Sequence, residues 1–144
     1  MIPLFDIDGN LPPGIHEATL LEFNERLCIF ARSDRRLRIC KQIESLVQDA
    51  RASQIVERII FGGSFITDKA EPNDFDGIVV LKPEVRYEEL LPTQLWIADT
   101  QQASRRYGGD IFVARANQAT LANYVTFLAT NRFGSDVGLI EVKL

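Results

Sequence analysis

Residues 59–81 read IIFGGSFITDKAEPNDFDGIVVL. An apolar, β-branched run stops at Gly62-Gly63-Ser64, a polar loop follows, and Asp74-Phe75-Asp76 opens a second apolar run. Both runs have strand character, because β-branched residues suit a pleated surface and glycine and polar clusters bound them. Side chains alternate along a strand, so Asp74 and Asp76 point to one face. Two carboxylates on one face at a strand start suit a hard divalent cation, which prefers oxygen ligands. Adjacent glycines and a serine at a strand end let backbone N–H groups come close to a phosphate. The combination reads as metal-assisted phosphoryl or nucleotidyl chemistry. Solvated carboxylates on an edge strand and an ordinary glycine turn are the plain alternatives. The apolar character of both faces beyond Gly77 marks an internal strand and speaks against the first.

Working outward, Ile55 to Phe61 reads as the first central strand and Asp74 to Leu81 as the second, stopped by Lys82-Pro83. Residues 1–18 are rich in proline and glycine and predict an extended arm on the surface, without a long helix or an inner strand. Asp6 and Asp8 repeat the i, i+2 spacing there, but no further acidic ligand follows at calcium-loop spacing, so a turn with solvated carboxylates is expected. His16, the one histidine, reads as a surface or packing residue. Thr19 and Glu22 fit a capping box for a helix from about Leu20 to Phe30. Ser33 caps a helix from about Asp34 to Ala52, with Leu37, Cys40, Ile43, Val47 and Ala50 as its buried stripe. Arg32, Arg35, Arg36, Arg38 and Lys41 cluster at its start, as a phosphate-binding patch or as a solvated face paired with Asp34 and Glu44. Glu88 to Arg106 is expected as one helix with Pro92 in its first turns, broken by Tyr107-Gly108-Gly109. Asp110 to Arg115 is a third strand, Gln118 to Thr130 a helix with Leu121, Tyr124, Val125 and Leu128 on one face, and Gly138 to Leu144 a closing strand. The order predicts an α/β (α+β) chain: a mixed central sheet of about four strands with helices packed against it.

At 144 residues the chain has the length of one domain. Sixteen basic against twenty acidic residues, net −4, argue against a general grip on nucleic acid. Cys28 and Cys40 fit no metal spacing and are expected as buried, reduced thiols. No apolar run reaches the length of a membrane span, and the N-terminus shows no basic start followed by an apolar stretch. A cytoplasmic protein is the expectation.

Gly63-Ser64, nine residues, then Asp74-x-Asp76 in an apolar strand resembles the signature of the DNA polymerase beta-like nucleotidyltransferase superfamily. The strings Gly63-Ser64-Phe65-Ile66-Thr67-Asp68-Lys69 and Glu71-Pro72-Asn73-Asp74 resemble, more narrowly, a small bacterial family with the minimal form of that fold. So do Leu11-Pro12-Pro13-Gly14 and Gly138-Leu139-Ile140-Glu141-Val142, and the likeness spans nearly the whole chain. The resemblance implies a nucleotidyltransferase-like core that transfers a nucleoside monophosphate, AMP from ATP, to a hydroxyl of a protein or RNA. It implies two magnesium ions held by three carboxylates: Asp74, Asp76 and, as the third, Asp110, which begins a strand directly after Gly108-Gly109. Gly62, Gly63, Ser64 and Lys69 are the candidate nucleotide-binding residues. Asp68 and Glu71, in the same loop, are expected in solvent, and Asn73 as a cap of the turn into the strand. Some minimal nucleotidyltransferases pair with a helical partner protein in toxin–antitoxin modules, which the resemblance adds as a partner. Two rival readings use the same fold without turnover: an antitoxin-like partner-binding protein and a nucleotide sensor.

Overall fold

In the computed structural model, which describes residues 1–29 and 33–144, five strands and five α-helices form a mixed α+β fold. The strands are β1 (Gly14–Ala18), β2 (Val56–Gly62), β3 (Asp76–Leu81), β4 (Asp110–Arg115) and β5 (Gly138–Lys143). They make one sheet in the order β1-β5-β2-β3-β4. β2 runs antiparallel to both β3 and β5, while β1 pairs parallel with β5 and β3 parallel with β4. The count is five strands rather than about four, because part of the proline-rich arm joins the sheet as β1. A short edge strand tolerates such a sequence, since only one of its sides must pair.

The helices are α1 (Leu20–Asn24), α2 (Asp34–Ser53), α3 (Pro92–Ala98), α4 (Thr100–Tyr107) and α5 (Ala119–Leu128). Thr19 caps α1 by accepting from the Glu22 N–H, and Ser33 caps α2 by accepting from the Arg36 N–H. A π-helical turn, Glu25–Ile29, continues α1. The expected end of that helix at Phe30 lies outside the described residues, as does Arg32. The single helix expected from Glu88 to Arg106 is two. Asp99 ends α3 in extended backbone and caps α4 by accepting from the Gln102 N–H. An aspartate at this position supplies the acceptor that a new helix start requires, and so favours a break.

Strand alternation divides the core in two. On one face Ile59, Phe61, Val79, Leu81, Ile111, Ile140 and Val142 meet α1 to α4. Phe23, Phe61, Phe65 and Phe75 stack through this layer, with ring centroids 4.7 Å apart for Phe23–Phe61 and 6.3 Å for Phe61–Phe75. On the other face Ile60, Ile78, Val80, Ala114 and Leu139 meet α5 through Leu121 and Leu128.

The buried stripe of α2 is Arg36, Ile39, Ile43, Leu46, Val47 and Ala50. Leu37, expected inside, is 44% exposed, and Arg36 lies inward in its place. Cys28 and Cys40 are not free thiols. They form a disulfide with Cα atoms 5.9 Å apart, because the Glu25–Ile29 turn packs alongside α2. No helix among the described residues is long and apolar enough to cross a membrane.

Candidate functional site

β2 is the middle strand, and its last residue, Gly62, pairs with Asp76, the first of β3. Asp76 pairs in turn with Asp110, the first of β4. Three strand ends thus meet in a row. Asp74 precedes β3 in extended chain, where the carbonyl of Phe75 accepts from the Asp110 N–H at 2.9 Å. Asp74, Asp76 and Asp110 each present a carboxylate oxygen within 4.8 Å of the other two. Gly109 makes the approach of β4 feasible, since a Cβ there would stand 2.6 Å from the Phe75 ring.

Three carboxylates so close repel one another. Asp76 is pushed up to about 7, first by burial, then by the charges of Asp74 and Asp110 and by a hydrogen bond between its carboxyl and that of Asp110. Asp74 is raised as well, by burial and by the Asp110 charge. A carboxyl pair in hydrogen-bonding contact needs a proton or a cation between its oxygens. The donor set is all oxygen and anionic, which suits Mg²⁺ by charge and hardness.

The glycine-serine turn sits directly on this cluster. Gly63 has φ +76°, and a Cβ on it would collide with the Asp76 carboxylate. Only glycine serves there, both for the backbone angle and for the approach. Ser64 begins a 3₁₀ turn, Ser64–Ile66, and is half-buried. The first N–H groups of such a turn have no partner within it. Gly62 is buried under Leu128 and Leu139, so it shapes the turn without facing solvent. Lys69, Asp68 and Glu71 are exposed on the following loop. The Asn73 side chain accepts from Arg35 at 3.2 Å, which ties the loop to α2.

Arg36 is the residue that the sequence concealed. Its side chain donates to the carbonyls of Phe65 (2.8 Å), Thr67 (2.8 Å), Lys69 (2.9 Å) and Leu27 (3.4 Å), and its guanidinium lies 4.7 Å from the Phe65 ring centroid. One buried fork therefore gathers three carbonyls of the loop from below. From the arm, the Gly9 carbonyl accepts from the Asp68 N–H at 3.0 Å. The available signal was helical period: Arg36 lies on the line through Ile39, Ile43, Leu46 and Ala50. The basic cluster is consequently not a single patch. Arg35 and Arg38 are exposed, and among the described residues no ion pair joins them to Asp34 or Glu44. Elsewhere the arm follows expectation: Asp6 accepts from the Asp8 and Asn10 N–H groups, and His16 bonds the Pro12 carbonyl at 2.7 Å.

Two surface concavities, about 180 Å³ at Asp49, Ser53, Leu91 and Trp96 and about 320 Å³ at Arg51, Gln54, Glu57 and Lys82, contain none of the triad or turn residues. Volume alone is weaker ground for a site than three strand-end carboxylates beside a glycine turn.

A family model described as "Family of unknown function (DUF6932)" matches residues 3–143, and the chain belongs to that family. No curated protein and no solved structure matches the chain.

Proposed function

We propose that this member of the family is a magnesium-dependent nucleotidyltransferase that moves a nucleoside monophosphate, AMP from ATP, onto a hydroxyl of a protein or RNA. The supporting observation is the meeting of the Asp74, Asp76 and Asp110 carboxylates beside the Gly63-Ser64 turn. These three residues would hold the metal, two ions in the form the resemblance implies, and bound metal would neutralise phosphate charge and acidify the attacking hydroxyl. The N–H groups of Gly63 and Ser64 and the Ser64 hydroxyl bind the terminal phosphate oxygens. Lys69, exposed on the same loop, provides a counter-charge to the triphosphate. Asp110 would orient the acceptor hydroxyl, and strand ends hold all three carboxylates more firmly than a loop would. Acceptor choice comes from a helical partner protein of the toxin–antitoxin kind.

A cytoplasmic location belongs to the proposal, because the nucleotide it needs is made there. The Cys28–Cys40 disulfide stands against it, since cytosolic thiols are kept reduced. Alkylation before lysis, followed by mass measurement, decides between the two. The activity itself is tested by incubating the chain with labelled nucleoside triphosphates and Mg²⁺, with and without cell extract. Labelled acceptor and released pyrophosphate, both lost in Asp76→Asn, are the expected result. Nucleotide binding without turnover would instead favour a sensor, and neither binding nor turnover a partner-binding protein.

A further inference from the structure

We propose that Phe112, Tyr124 and Phe127 seat the base of the nucleotide, a purine by preference, on the face of the sheet that carries the triad. The inference rests on the nucleotidyltransferase reading and concerns a part of the substrate that neither triad nor turn touches. Asp110 and Phe112 are two residues apart on β4 and so face the same side, at a strand spacing of about 6.6 Å. Across the ladder Ile78 lies opposite Phe112 as Asp76 lies opposite Asp110, which places Phe112 one step inward from the carboxylates. The Tyr124 ring of α5 packs 4.9 Å from the Phe112 ring, and the Phe127 ring meets it edge-on at 5.9 Å and 72°.

Phe127 is 66% exposed, although Leu128 beside it is buried. Most of its ring is therefore open to solvent beside Phe112. The same end of α5 reaches the phosphate turn, where Leu128 Cβ lies 3.1 Å from the position a Cβ would take on Gly62. Phe127 thus stands beside Phe112, one β4 step in from the carboxylates, at the helix end that packs on the phosphate turn. An aromatic base held over that ring keeps its phosphates between the two. Ring faces stack with any base, most strongly where the overlap is largest. The cluster offers ring faces and a single phenol hydroxyl, and so predicts acceptance of all four bases with purines ahead.

Calorimetric titration of the full chain with Mg·ATP and with Mg·tripolyphosphate separates base from phosphates. Phe127→Ala is expected to weaken ATP about tenfold and to leave tripolyphosphate unchanged. Phe127→Trp should restore ATP affinity and show fluorescence quenching with ATP but not with tripolyphosphate. Unchanged ATP affinity in Phe127→Ala would overturn the seat and leave the metal site standing. A parallel loss of both probes would also overturn it, since the ring would then support the site as a whole. Failure of the wild-type chain to bind either probe would overturn the nucleotidyltransferase reading together with the seat.

Discussion

The two faces of the sheet are finished in opposite ways. One lies under α1 to α4, holds the phenylalanine stack and, among the described residues, fully buries a single charge, Arg36, among backbone carbonyls. The other, among the described residues, is covered by α5. Beyond that helix it carries the ion pairs of Arg58 with Glu141 and of Glu17 with Lys143, and at one end it carries three like-charged aspartates. The first face pairs its buried charge, Arg36, with loop carbonyls, and leaves Arg115 Nε as a buried donor without a partner among the described residues. The second leaves one cluster uncompensated, where the cover stops and a ligand can enter. Stability and the candidate site are thus separated by the pleat: Phe75, just before β3, and Asp76, its first residue, serve opposite sides.

That separation can be broken by substitution. Phe61→Ala opens a cavity in the stack and should cost about 4 kcal/mol in chemical denaturation, with Asp110→Asn nearly neutral by comparison. A small effect of Phe61→Ala would show that the covered face does not carry the stability. Arg36→Met should cost about 3 kcal/mol, because three loop carbonyls lose a charged donor in the interior. It should also raise amide exchange across residues 65–69, and unchanged exchange there would show that the fork does not shape the loop. Reducing Cys28–Cys40, which closes a short loop on the covered face with a sequence separation of 12, should cost about 2 kcal/mol. A melting temperature indifferent to reductant would remove the disulfide from the account.

Much of the site end was legible in the sequence, because strand alternation and glycine punctuation act locally. β4 begins and ends at the expected residues, and the Gly108-Gly109 break before it delivers Asp110 to the Asp74–Asp76 corner. What stayed hidden depends on partners distant in sequence. β1 forms only because Gly14 to Ala18 lie along Gly138 to Val142, and nothing in the arm itself announces a strand. Arg36 and Leu37 compete for one inward position. Burial scales favour leucine, but the carbonyls of Phe65, Thr67 and Lys69, some thirty residues on, decide for arginine. The disulfide likewise needs the π-helical turn beside α2, a packing that cysteine spacing does not encode.

The uncompensated cluster has a thermodynamic sign that can be measured directly. Asp76 titrates at about 7 in the folded chain against an ordinary 3.8. Between these values the folded state holds a proton that the unfolded state has released, so stability falls as pH rises through the window and levels off above it. Thermal unfolding of the metal-free chain in EDTA, from pH 4.5 to 8, should lose on the order of 1–2 kcal/mol, reduced from the full linkage value by the partly open cleft. Millimolar Mg²⁺ should return that loss at pH 8, where the cation replaces the proton, and Asp76→Asn should abolish the Mg²⁺ response and most of the pH slope, leaving the smaller part that belongs to Asp74. A stability that does not decline with pH, or a Mg²⁺ response that survives Asp76→Asn, would contradict a cation site at the triad.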